Sequence, residues 1–233
     1  MKNDKKTIGI IGGVGPQASD YLYQQIISQA QTGHGAKNNE DFPEVVLYSI
    51  PVPDFMADED RLEEARVMFR RVLEGFEKVG VSRVVIGSNT VHMLLGQFER
   101  ETKLKFISMI DGVVGKVVGD GRKVVGLLSS PMTIKQSLYS DKLTEKGISL
   151  IYPDESGQRK VEAMIRSVMS GEGGGELKSQ YIEVAQSLFD QGAEAIILGC
   201  TELPLAINYE ALGDRVYDSM KILAEKIVDY YYN

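Results

Sequence analysis

The chain has 233 residues, 43% hydrophobic and 25% charged, with 26 Lys and Arg against 33 Asp and Glu for a formal net charge of −7. That balance argues against a nucleic-acid groove, which needs clustered cations, and no apolar run approaches the length that crosses a bilayer. No nucleic acid and no membrane are expected as partners; an anionic small molecule held by local donors still fits.

The start MKNDKKTIGIIGGVG reads as a first strand broken by glycines, not as a signal peptide, so a cytoplasmic protein is expected. Strand Thr7–Ile11 runs into Gly13-Val14-Gly15-Pro16-Gln17-Ala18, a loose G-x-G-x-x-A fingerprint. A dinucleotide site also wants an acid at the end of the second strand, and that strand ends Leu47-Tyr48-Ser49-Ile50-Pro51. No nicotinamide cofactor is therefore expected. Pro16 suits a first helical turn, and the glycines instead bring backbone N–H groups up to a small carboxylate.

Further candidate strands are Val45–Ser49, Arg83–Ile86, Phe106–Ser108, Lys123–Leu128, Ser149–Tyr152, Ala195–Leu198 and Val216–Tyr217. Between them run helical patterns at Gln17–Gln31, Leu62–Val79, Ser137–Lys146, Arg159–Ser170, Leu177–Gln191 and Ser219–Tyr232. Strand followed by helix, repeated, predicts an α/β fold with mostly parallel strands.

The segment GVSRVVIGSNT (Gly80–Thr90) and the segment GAEAIILGCTE (Gly192–Glu202) follow one grammar, with Ser88 and Cys200 each eight positions after the leading glycine. KTIGIIGGVGP and RKVVGLLSSPMT look like a second matching pair. We therefore expect two similar three-layer lobes related by pseudo-two-fold symmetry with the active site between them, residues 1–112 plus 213–233 in the first and 113–212 in the second. Ligands sit outside the carboxyl ends of parallel strands, where Ser88 and Cys200 fall.

Cys200 is the only cysteine, which excludes an internal disulfide and a multi-thiolate metal site. His34 and His92 are the only histidines and lie far apart in sequence, so no zinc spacing exists and no metal is expected. Cys200 reads either as an inert buried thiol or as a reactive one whose pKa a helix N-terminus lowers. Ser88-Asn89-Thr90 reads as a helix cap or as part of a site, and Ser130 with Thr133 carries the same ambiguity. His92 reads as satisfying a local hydrogen bond.

Taken together, Gly12-Gly13-Val14-Gly15-Pro16, Asn89-Thr90-Val91-His92 and Gly199-Cys200-Thr201-Glu202 make the chain resemble the aspartate/glutamate racemase family. That resemblance implies catalysis without pyridoxal phosphate or metal, by two cysteines flanking the substrate α-carbon. One thiolate removes the α-proton, and the opposite thiol returns a proton to the other face. It implies Cys200 as one catalytic group and Ser88 at the other cysteine's place, with a carboxylate held by donors near Val14 and Gly15 and by Asn89, Thr90, Ser130, Thr133 and Thr201. A serine hydroxyl is a far weaker base than a thiolate, so the two faces are expected to be unequal, with L-substrates favoured.

The family's Pro-Asp-Arg-like segment reads Pro53-Asp54-Phe55 here, leaving Arg61 or Arg66 to reach in. Its second-half lysine falls near Met169 or Ser170, leaving Arg166 as the nearby cation. The expected ligand is an amino acid or dicarboxylate, and the expected assembly is a homodimer, as is common in the family. A single-thiol lyase or decarboxylase and a non-catalytic ligand-binding relative are the competing readings.

Overall fold

The computed structural model describes residues 6–54, 59–172, 177–206 and 209–233. They form two compact units, Met1–Met109 with Leu223–Asn233, and Ile110–Ile222. Among the described residues no helix is long and apolar enough to cross a membrane.

The first unit holds β1 (Thr7–Gly12), α1 (Pro16–His34), β2 (Glu44–Ser49), α2 (Leu62–Val79), β3 (Arg83–Ile86), α3 (Leu95–Glu101) and β4 (Phe106–Ile107). Its sheet is parallel with order β2-β1-β3-β4. The second unit holds α4 (Met109–Gly119), β5 (Val124–Ser129), α5 (Pro131–Lys135), α6 (Ser140–Thr144), β6 (Ser149–Ile151), α7 (Glu155–Ser170), α8 (Leu177–Asp190), β7 (Ala195–Gly199), α9 (Leu203–Ala206) and β8 (Val216–Asp218). Its sheet, β6-β5-β7-β8, is also parallel and repeats the first sheet's order. α10 (Ser219–Tyr232) then follows, and the first unit resumes within it at Leu223. The sequence reading returned the chain to the first lobe at 213, but Val216–Asp218 pairs with β7 and so lies in the second unit.

The repeat seen in the sequence extends to individual hydrogen bonds. Gly80 ends α2 at φ 75° and Gly192 follows α8 at φ 101°, a left-handed conformation that glycine adopts without steric cost. Gly80 N donates to Glu77 O and Val81 N to Phe76 O; Gly192 N donates to Phe189 O and Ala193 N to Leu188 O. The next contact matches too, since Ser82 N donates to Thr7 O and Glu194 N to Val124 O. The same helix stop thus launches β3 toward Ser88 and β7 toward Cys200.

Packing explains the central strands. Ile8, Ile10, Val84, Val85, Ile196 and Ile197 are fully buried, as strands covered on both faces require. α2 sets Phe69, Val72 and Phe76 against β3, each such side chain contributing about 1.5–3 kcal/mol of apolar burial.

Two helical expectations change. The helix expected over Ser137–Lys146 shortens to α6, because Ser137 sits at φ 52° and interrupts it. α4 occupies the stretch read as a boundary. Its glycines weaken local helix propensity, but Ile110, Val113, Val114 and Val117 recur at i, i+3, i+4 and i+7, and burying them overrides that weakness.

Candidate active site

In the first unit, Ser88, Asn89, Thr90 and His92 follow β3 and are all buried. His92 Nε2 accepts the Met109 N–H at 3.0 Å, so its Nδ1 carries the proton and donates to Ser88 O at 2.8 Å. Both ring nitrogens are committed to backbone, and His92 acts as a brace between the Ser88 turn and the start of α4. It therefore offers no base to the Ser88 hydroxyl.

Val14 and Gly15 lie at the carboxyl end of β1, with Gly15 as the N-cap of α1 and Pro16 in its first turn. The Gly13 N–H is taken by Ser19 Oγ at 2.9 Å. No hydrogen bond among the described residues takes the N–H of Val14 or Gly15, which leaves two donors of the kind a carboxylate needs.

In the second unit, Ser130 caps α5: its Oγ accepts the Thr133 N–H at 3.3 Å and lies 3.1 Å from Thr133 Oγ1. Ladder register pairs Ser129 with Gly199, which brings this cap beside the turn that carries Cys200. Gly199 is closely packed, since a Cβ there would lie 2.7 Å from Leu127 Cδ1 and 3.2 Å from Tyr139 Cε2.

Cys200 is 7% exposed and donates its S–H to Glu202 Oε2 at 3.1 Å. Thr201 Oγ1 donates to the same oxygen at 2.9 Å. Burial, reinforced by the adjacent Glu202 carboxylate, pushes the Cys200 thiol well above its ordinary range, outweighing the Thr201 and Glu202 backbone N–H groups that pull it down. Burial likewise raises the Glu202 carboxyl, against the hydrogen bonds from Cys200 and Thr201. Two buried groups thus compete for one proton, and the sulfur keeps it at rest. This reverses the expected lowering of the thiol pKa: α9 is a single turn of four residues, too short to set a dipole against burial and a neighbouring acid.

The sequence reading gave Glu202 no chemical role. Its signal was an acid in the otherwise uncharged stretch LGCTELPLA. Asp218, another buried acid of this unit, shows the structural alternative. It accepts the Met220 and Lys221 N–H groups and the Tyr209 hydroxyl, and so is consumed in capping α10.

The arginines behave differently from these groups. Arg61 is 48% exposed and pairs with Glu64 at 2.9 Å. Arg166 is 60% exposed and pairs with Glu162 at 3.1 Å. Arg66 pairs with Glu63, its Nε buried without a partner among the described residues. Phe55, where the family has an arginine, lies outside the described residues.

Each of the two parallel α/β units presents a buried polar turn at a strand's carboxyl end, and the turn of the second carries a thiol hydrogen-bonded to a carboxylate. Residues 11–227 match the Asp/Glu/Hydantoin racemase family, and the chain belongs to that family. It is 24% identical over 234 residues to the broad specificity amino-acid racemase RacX of Bacillus subtilis (strain 168), covering 96% of this chain and 97% of that one. Among solved structures it is similar to an aspartate racemase from Picrophilus torridus (TM-score 0.85, 27% identity, 97% of this chain and 94% of the other). It is also similar to an aspartate racemase homologue from Pyrococcus horikoshii OT3 (TM-score 0.80, 27% identity, 98% and 100%).

Proposed function

We propose that the protein is an amino-acid racemase or epimerase that moves the Cα proton with its own side chains, Cys200 acting on one face of the α-carbon and Ser88 standing at the other. The observation that carries this reading is the thiol–carboxylate contact of 3.1 Å. Glu202 takes the thiol proton, the resulting thiolate removes the Cα proton, and the carbanion's charge falls on the substrate carboxylate. The N–H groups of Val14 and Gly15, with Asn89, Thr90, Ser130, Thr133 and Thr201, are the donors for that carboxylate.

Among the described residues Ser88 has no such partner, since His92 holds its carbonyl and commits both ring nitrogens to backbone. Proton exchange is therefore one-sided, and by family analogy Cys200 serves the L-face. Arg61 and Arg166 are tied to Glu64 and Glu162 only through exposed pairs, which cost little to open for a side-chain carboxylate. The name of the Bacillus subtilis relative points to substrates beyond aspartate and glutamate.

Incubation with a panel of L- and D-amino acids in deuterated water tests the reading: α-hydrogen exchange should appear mainly with L-forms. Absence of exchange across the panel refutes it. The pairing of the two side chains on one substrate is tested separately in Ser88→Cys, where one bound amino acid should shield both thiols from alkylation.

A second reading is favoured by the resting proton on sulfur. A protonated thiol is already an acid, so a lyase or decarboxylase that protonates a planar intermediate from one face also fits. Release of carbon dioxide from a malonate-type substrate without racemisation separates the two.

The chain is read as a cytoplasmic homodimer. Exposed Leu47 and Tyr48 on the edge strand β2, with Tyr23 on α1, supply an apolar surface for a second copy. Sedimentation equilibrium tests this.

A further inference from the structure

We propose that the Tyr181 hydroxyl is a donor held in reserve for the Cys200 sulfur, forming its hydrogen bond only after that sulfur has lost its proton. The inference deepens the proton-transfer reading and rests on it only for its use in turnover.

Tyr181 is 0% exposed, and its hydroxyl has no hydrogen-bond partner among the described residues. Buried hydroxyls are nearly always bonded, and one left alone costs about 1–3 kcal/mol. Its position follows from register. Leu188 of α8 packs on Gly126, where a Cβ would lie 2.8 Å from Leu188 Cδ1, and Gly126 is the ladder partner of Ile196. From that common level Tyr181 lies seven residues back along α8, about 10.5 Å. Cys200 lies four residues onward from Ile196, about 13 Å in the same direction, because α8 turns through Gly192 into an antiparallel β7. Helical side chains lean toward the helix N-terminus, which here is toward Cys200. The two residues belong to one packed cluster with Leu128, Ile165 and Leu203.

At rest the thiol donates to Glu202 and offers only a weak acceptor to a phenol. When the proton passes from Sγ to Glu202 Oε2, the sulfur becomes an anion and a strong acceptor. The unmatched Tyr181 hydroxyl of the same cluster, which makes no hydrogen bond at rest, then closes onto the charged sulfur and stabilises charge that exists only during reaction. Among the described residues Glu202 shares the sulfur's turn and Tyr139 packs against Gly199, while Asp218 at the end of β8 pushes both tyrosine hydroxyls up. The Tyr139 hydroxyl is already engaged with Ser219, so Tyr181 is the one of the pair with a bond to give.

The test is the iodoacetamide alkylation rate of Cys200 against pH in the full chain, for wild type, Tyr181→Phe and Tyr139→Phe. A hydrogen bond to a charged group is worth about one to two pK units, so Tyr181→Phe should slow alkylation about tenfold at each pH below the thiol midpoint. Tyr139→Phe should stay within about twofold. Tyr181→Phe should melt no lower than wild type, because it removes an unmatched polar group, and should lower kcat for exchange with little change in KM. An unchanged alkylation profile in Tyr181→Phe, or an equal fall in Tyr139→Phe, overturns the proposal. A shifted profile in a protein that exchanges no amino acid leaves the donor role standing and removes the racemase reading.

Discussion

The Cys200 thiol and the Glu202 carboxylate, 3.1 Å apart and both buried, hold one proton between them. The carboxylate raises the cost of ionising the thiol, while the thiol's hydrogen bond eases the ionisation of Glu202 that burial opposes, so at rest the proton stays on sulfur. Glu202→Gln separates the two consequences. Loss of the negative neighbour lowers the thiol pKa and speeds alkylation, while loss of the acceptor slows Cα exchange by about 10²-fold, the low end of general-base contributions. Alkylation and exchange moving together in this variant would contradict the assignment of Glu202 as acceptor.

Stability should fall as pH rises through this pair. The folded-state pKa of Glu202 is raised above its ordinary 4.5, so the folded chain binds that proton more tightly, and the resulting stability is complete below 4.5 and lost above it. Cys200 has the same sign from its ordinary 9.0 upward. Urea midpoints measured from pH 4 to pH 8 should therefore decline less steeply in Glu202→Gln than in wild type, with the variant's relative advantage growing toward pH 8.

Ser88→Cys should raise exchange from D-substrates relative to L-substrates by at least about tenfold, because a thiol ionises far more readily than a hydroxyl. Exchange measured by proton NMR on both enantiomers gives the ratio. A thermal midpoint within a degree or two of wild type is expected, since the turn is held by its backbone.

Replacing His92 by Leu strands the Met109 N–H and the Ser88 carbonyl in a buried place. A loss of about 2–6 kcal/mol in urea unfolding is expected, at about 1–3 kcal/mol for each of the two unmatched groups. His92→Asn, shorter but still polar, should recover part of that loss.

Much of the architecture was legible because apolar strands and glycine helix stops are local signals. Gly80 and Gly192 marked the repeat, and the structure gives them matching hydrogen bonds. α4 was not legible, since Gly112, Gly115 and Gly119 hide a helix that only tertiary burial sustains. The second boundary was missed because β8 is three residues long and its membership is decided by pairing with β7. Residue types singled out Cys200 and Ser88 as candidates, and both lie in buried turns at strand ends. The direction of the thiol pKa could not be read from them, because it depends on how deeply the turn is buried and on which atom Glu202 turns toward it.

The brace formed by His92 grips Ser88 through its carbonyl and leaves the side chain out of the fold's accounts. Serine and cysteine differ by one atom, and the backbone contacts that hold the turn are the same for either. Reactivity on that side can change across generations by a single atom, while the scaffold that presents it stays the same.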